Sequence, residues 1–325
     1  MEATVVNCQL APQLHHEGSK GRKFLNKSVF ACLGMATVAA LAGCGGSIKH
    51  DQRIEKKDIL VAKDATREEL IEKFNAQAVG VHSLNATVEL RPVAGSRYSG
   101  LIEEYHEVKA FLLATRPENI RVIGQAPVIS KTIFDMASDG NTFQVSLPTK
   151  NKFLVGKASA ERNTTKPIEN LRPQHLFDAL LWPEIVKGET VLDEEFNDEN
   201  ARYYILTVLR GGYTTEIRRK IWFDRGDLNV VRLETLGPKG VLLSDVHYSD
   251  WQPVGEAVAG TSAAAFPRKI EVDRPHDDYV IHLQVTKVAL NENLPADRFQ
   301  LAQPPNSELV RVGEEKNEPA KESKP

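Results

Sequence analysis

Short runs of alternating apolar and polar residues dominate the chain from Ser83 to Leu290. In one run Phe143, Val145 and Leu147 fall on one face and polar residues on the other, which is the period of a half-buried strand. Turn residues rich in Gly, Asp and Asn separate the runs and favour hairpins. The runs predicted as strands are Ser83–Arg91, Arg97–Thr115, Asn119–Gly124, Lys131–Ser138, Thr142–Leu147, Lys152–Val155, Arg202–Arg210, Thr214–Asp224, Val230–Gly237, Val241–Trp251, Pro267–Asp273 and Tyr279–Leu290. So many short strands predict one large antiparallel sheet that curls.

The first helix is predicted before these strands. Thr66 and Glu69 match the S/T-x-x-E capping box, in which the hydroxyl accepts a hydrogen bond from an early helix N–H. Leu70 and Phe74 then follow at helical spacing. The pattern predicts a helix over about residues 65 to 79, ended by Gly80 in a left-handed C-cap.

A second helix is predicted from Pro173 to Pro183, because Pro is favoured in the first turn and a later Pro ends the helix. Its apolar stripe consists of Leu176, Phe177, Leu180 and Leu181, followed by Trp182. We expect an α+β fold in which both helices cover the concave face of the large curled antiparallel sheet.

The segment Arg22–Gly46 reads as a secretory signal, with basic residues before a short apolar run. The run is shorter than the roughly 20 residues of a membrane-spanning helix. Its end, Leu41 to Cys44, resembles the bacterial lipobox, which implies cleavage before Cys44, a diacylglycerol on its thiol and further acylation, with palmitate among the expected lipids. Gly45, in place of the Asp that retains such proteins at the inner membrane, favours the periplasmic face of the outer membrane.

Four regions are therefore expected. Residues 1–43 form the signal with an extended leader, and 44–63 a lipidated N-terminus and flexible tether. Residues 64–312 form the folded domain, and 313–325 a disordered tail rich in charge.

Composition excludes several classes of protein. Cys8 and Cys32 leave with the signal and Cys44 takes lipid, so no thiol or disulfide chemistry is left. The 41 basic and 44 acidic residues are interspersed, without the basic patch that binds nucleic acid. No HExxH or G-x-S-x-G motif occurs, and the pair Glu104 and His106 is expected to be structural or solvated. We therefore expect no metal, no cofactor and no catalysis.

Two further motifs have simple explanations. The acidic segment Glu189–Asn200 is expected to be a solvated, charged loop. The tripeptide Arg225 to Asp227 resembles a cell-adhesion motif, but its residues also suit a tight turn between strands.

From about Thr66 onward the chain resembles the LolA/LolB-type superfamily of lipoprotein carriers and receptors. The matching segments are Val79–Ala86, Trp222–Asp224, Val231–Leu233, Phe266–Ile270 and Asn291–Val310. The resemblance implies a half-open antiparallel barrel with a helical lid over a hydrophobic cavity. LolB-type members are lipoproteins, and the lipobox places this chain nearer to them.

We therefore expect a monomeric protein, tethered to the membrane, that binds acyl chains or lipidated proteins. The expected cavity and lid residues are Phe74, Phe143, Val145, Leu147, Leu176, Phe177, Leu180, Leu181 and Trp182. The alternative is an interaction protein of the cell envelope with the same fold and a filled core.

Overall fold

A computed structural model describes residues 61–95, 103–127, 130–159, 170–198, 201–211, 215–255 and 264–313. The predicted signal, the lipid site Cys44, most of the tether and nearly all of the tail lie outside the described residues. Among the residues described, neither helix is long enough and apolar enough to span a membrane.

Fifteen strands in the described part of the chain form one sheet. They are β1 (Ser83–Ala94), β2 (Glu103–Glu104), β3 (Val108–Thr115), β4 (Asn119–Gln125), β5 (Thr132–Ser138), β6 (Thr142–Leu147), β7 (Lys152–Lys157), β8 (Thr190–Asn197), β9 (Arg202–Arg210), β10 (Glu216–Asp224), β11 (Val230–Leu236), β12 (Leu242–Val254), β13 (Ala264–Arg274), β14 (Tyr279–Leu290) and β15 (Glu308–Val312).

The order of the strands is β15-β7-β6-β5-β4-β3-β1-β14-β13-β12-β11-β10-β9-β8, with β2 paired to β1. The sheet is not closed, since β15 and β8 are its two edges. Its neighbouring strands are antiparallel except for β15 and β7, which run parallel. The prediction of a large open sheet is confirmed, and the prediction that it is wholly antiparallel is wrong at this one edge.

Three strand predictions need correction. The acidic segment predicted as a loop contains β8, which pairs along its length with β9. The segment after Asn291 ends in β15. The single run predicted from Arg97 to Thr115 contains two strands, β2 and β3, among its described residues.

Helix α1 (Arg67–Gly80) begins with the predicted capping box. The Thr66 side chain accepts from the Glu69 N–H at 3.3 Å, and Glu69 Oε2 accepts from the Thr66 N–H at 2.7 Å. The predicted left-handed cap at Gly80 is wrong: Gly80 is the last helical residue, and the C-cap Val81 is extended.

Helix α2 (Pro173–Leu180) starts at the predicted proline and ends three residues before the second one. Both helices bury apolar side chains, Leu70 and Phe74 from α1 and Leu176 and Leu180 from α2. These side chains belong to the same hydrophobic cluster as apolar residues of the sheet. The members of this cluster in β14 are the alternating residues Tyr279, Ile281, Leu283 and Val285.

Candidate functional site

We call residues 173–182 the lid; they comprise helix α2 and the two residues after it. The lid buries all of its predicted apolar residues. Leu180 is 6% exposed, and Leu176, Phe177, Leu181 and Trp182 are buried as well. All five belong to the main hydrophobic cluster. The prediction that these residues form one apolar surface is consistent with their placement, but burial alone does not assign them a ligand.

An aromatic stack joins the lid to α1 and to the sheet. The Trp182 ring stacks on Phe74 with centroids 5.3 Å apart and meets the edge of Tyr248 at 5.2 Å. Trp182 Nε1 donates to the Tyr248 hydroxyl at 2.9 Å, and that hydroxyl donates to the Ala179 carbonyl at 2.8 Å. Burial raises the pKa of Tyr248. Tyr248 therefore stays neutral and fixes the end of α2 to β12.

The predicted sheet residues lie elsewhere in the packing. Phe143 is buried, with the Arg172 guanidinium 4.6 Å from its ring centroid, and Gly156 faces it on β7. Val145 is half-buried against the main hydrophobic cluster, and Leu147 is half-buried at the end of β6. The structure places Phe143 beside the residue that precedes α2, outside the cluster that holds the lid.

A small cavity lies between the lid and the sheet. It has a volume of about 10 Å³ and is bordered by Ala78, Arg116, Leu180, Trp182 and Ile270, among others. This is room for about one water molecule, whereas ligand pockets usually measure about 300–1,000 Å³. This cavity therefore admits an acyl chain only if the lid moves.

The residues Trp182–Ile185, which we call the strap, continue the lid and belong to no helix or strand. Arg116 Nη2 donates to the Trp182 carbonyl at 2.8 Å, and Arg219 donates to the carbonyls of Pro183 at 2.6 Å and Glu184 at 2.7 Å. Four consecutive carbonyls are held in this way, because the Asn75 amide donates to the Ile185 carbonyl at 2.9 Å and accepts its N–H at 2.8 Å. Side chains from helix α1, from the turn between β3 and β4 and from strand β10 thus hold the strap.

Both arginines that bind the strap are shielded from water. Burial lowers the pKa of Arg219, and Glu189, 3.3 Å away, acts in the opposite direction. Burial also lowers the pKa of Arg116, which further donates to the carbonyls of Ala78 at 2.6 Å and Val81 at 3.1 Å. Such groups need their acceptors, because an unpaired buried guanidinium is unfavourable.

Sequence patterns did not reveal these donors. Arg116 reads as an ordinary turn residue before a proline, Arg219 as one polar position of a strand, and Asn75 as an exposed helix residue. The backbone carbonyls that each side chain binds lie 35 or more residues away along the chain. No local spacing therefore marks them.

A second polar group lies at the start of α2. The Tyr279 hydroxyl and His175 Nδ1 are hydrogen-bonded, and Arg274 Nη2 lies 3.2 Å from His175 Nε2. Arg274 also pairs with Asp277 at 2.8 Å. Burial, then the charges of Arg274 and Arg172, holds the pKa of His175 well below its usual range.

The opposite face of the sheet carries a polar groove of about 330 Å³, lined by Glu89, Arg91, His247, Lys269, Glu271 and His282 among others. In the part of the chain that the structure describes, no three His, Cys, Asp or Glu side chains are placed to hold a metal ion.

Arg225 of the adhesion-like tripeptide is buried and pairs with Asp64 at 3.0 Å and Glu195 at 2.8 Å. This arginine is therefore part of the fold and is not presented on the surface.

Comparisons with known proteins give similarity in structure only. No protein-family model matches the sequence, and no curated protein matches it. Among solved structures, a LolA superfamily protein from Nitrosomonas europaea is 15% identical, with 73% of this chain and 99% of that chain covered and a TM-score of 0.43.

Two further structures show similarity of the same order. A domain assigned provisionally to outer membrane lipoprotein sorting, from Vibrio parahaemolyticus, is 10% identical over 71% of this chain and 94% of that chain, with a TM-score of 0.44. A DUF1329 family protein from Desulfovibrio piger is 13% identical over the same shares, with a TM-score of 0.45.

Proposed function

We propose that this protein is a lipoprotein of the bacterial outer membrane, anchored through lipid on Cys44 and facing the periplasm. It binds lipid acyl chains or lipidated proteins between the lid and the concave face of the sheet. It acts as a monomer and catalyses no reaction. Residues 44–63 are its tether and 64–312 its binding domain.

The lid carries this proposal. Its buried stripe is apolar, and its strap is held by side-chain hydrogen bonds and not by pairing with a strand. Such a segment is able to detach without breaking the sheet. The exposed apolar face then binds acyl chains through the hydrophobic effect, at roughly 0.8 kcal/mol per buried methylene.

Replacement of Leu180 tests the lid. Leu180→Glu places a charge in the apolar stripe, so we expect uptake of a fluorescent fatty acid to be lost while the circular dichroism of the sheet is retained. Leu192→Glu is the matched control, because Leu192 lies on β8 and is 54% exposed. Unchanged uptake by Leu180→Glu contradicts the assignment of the lid.

The small cavity favours a second function. Because the cavity that Leu180 and Trp182 border measures about 10 Å³, the same fold also suits an envelope interaction protein with a permanently filled core. Native mass spectrometry of the chain lacking Cys44, followed by lipid extraction, separates the two. Stoichiometric acyl ligand supports the binding protein, and a lipid-free mass together with no titratable binding supports the filled core.

A further inference from the structure

The strap has an unusual set of partners. Its four carbonyls are all hydrogen-bonded to side chains: Asn75 on α1, Arg116 between β3 and β4, and Arg219 on β10. We propose that these three side chains form a track for an extended polypeptide backbone, which the strap occupies while the lid is closed. The occupant that replaces the strap is the polypeptide part of an acylated ligand, so the inference rests on the proposed function.

The chemistry of the track is directed at backbone. Arginine and asparagine N–H groups donate to backbone carbonyls, of which every peptide carries one per residue. Within the strap Trp182 and Ile185 are buried, whereas Pro183 and Glu184 are exposed. A chain bound in this way is therefore recognised with little regard to its side chains at the middle positions.

Displacement of the strap gives the track its selectivity. Trp182 follows α2 by two residues, so acyl chains that enter beneath α2 move the strap away. Arg219, which is 7% exposed, then loses two carbonyl acceptors. A buried donor without an acceptor is costly. A ligand whose acyl group continues into a peptide restores these hydrogen bonds, whereas a ligand without amide carbonyls does not.

The test compares two ligands with the same lipid. One is a diacylglyceryl-cysteine that continues into an eight-residue peptide of Ser and Asn, and the other replaces the peptide with a polyethylene glycol spacer of equal length. Competition against a fluorescent acyl probe gives both dissociation constants. We expect the full mature chain to bind the peptide-bearing ligand at least about tenfold more tightly, since several hydrogen bonds to charged donors are regained. A second peptide of unrelated sequence should give the same ratio.

Two variants remove donors from the track. Arg219→Met and Asn75→Leu should each lower the ratio toward one, while the polyethylene glycol ligand binds as well as before or better. Arg121→Met is the control. Arg121 also donates to two backbone carbonyls, those of Arg298 at 3.0 Å and Gln300 at 3.2 Å, and lies outside the lid. Its ratio should equal that of the wild type.

The failures of the two proposals are distinguishable. If the wild type binds both ligands equally, or if Asn75→Leu and Arg219→Met both keep the wild-type ratio, the track is wrong and acyl binding stands. If neither ligand binds, both proposals are wrong. Thermal unfolding monitors whether Arg219→Met folds, and if it does not, Asn75→Leu alone decides.

Discussion

Two arginines face the buried imidazole of His175, and this arrangement makes the stability depend on pH. Because burial, Arg274 and Arg172 depress the pKa of His175, the folded protein binds fewer protons than the unfolded chain, whose histidine has a pKa of about 6.5. The contribution of the neutral His175 to the free energy of unfolding is fully present above about pH 6.5 and declines as the pH falls below that value.

The prediction is that His175 contributes a fall in the free energy of unfolding between pH 7 and pH 5, of up to about 1.4 kcal/mol per pH unit. Burial raises the pKa of Asp178 on the same helix to about 6, so Asp178 contributes in the opposite direction, in the wild type and in His175→Asn alike. The His175 component is absent in His175→Asn, so the free energy of unfolding should fall less with decreasing pH in the variant than in the wild type, although the variant is less stable at pH 7. Urea unfolding at four pH values measures this. His106→Gln, at an exposed position, should keep the wild-type slope. Equal slopes in the wild type and His175→Asn contradict the prediction.

At the scale of the element, the strap that continues the lid is held by side-chain hydrogen bonds, which are separate from the backbone hydrogen bonds between the strands of the sheet. Arg116 joins the strap to the last turn of α1, through the carbonyls of Trp182 and Ala78. We predict that Arg116→Met increases hydrogen exchange at Leu181 and Ile185 about tenfold or more, because local opening becomes easier.

The measurement is hydrogen exchange resolved by peptide, with β14 as the internal reference. Amides of β14 lie in the middle of the sheet between β1 and β13, so their exchange should change much less than that of the strap. Arg121→Met again serves as the control variant. A uniform increase across the lid and β14 would mean that the lid does not open on its own.

The elements also show where sequence patterns are informative. Helix α2 was predictable because proline sets its start and four apolar residues share one face. Strand β8 was not, since seven of its eight residues are exposed and no alternation remains. It becomes a strand through its hydrogen bonds to β9, and β15 likewise through β7. Edge strands of this kind depend on tertiary pairing and carry little signal of their own.

The same limit applies to the candidate site. The apolar lid residues follow from local spacing, and the structure buries them together. The side chains that donate to the strap could not be predicted from local spacing, because the carbonyls they bind are distant along the chain. Every residue has a backbone carbonyl, so the sequence does not mark which carbonyls are bound. The size of the cavity was not predictable either, since it depends on how Trp182, Tyr248 and Phe74 fill the space under the lid.

For the whole molecule, the proposed lipid on Cys44 would decide where the proposed binding domain works. If the anchor is as proposed, the thiol at residue 44 is the only one that carries lipid, because the other two cysteines precede the cleavage site. We predict that Cys44→Ser moves the protein from the outer-membrane fraction to the soluble fraction in a bacterial host, whereas Cys32→Ser leaves it in the membrane. One acyl chain gives marginal membrane binding and two or more give stable anchoring.

Intact mass of the protein extracted from membranes provides the second readout. The wild type and Cys32→Ser should both begin at Cys44 and carry a diacylglycerol. Cys44→Ser should lack this mass and begin at a different N-terminus. If a Cys44→Ser protein without its leader still sediments with membranes and carries no lipid, contacts of the folded domain hold it there. In that case the delivery of acyl chains needs no tether.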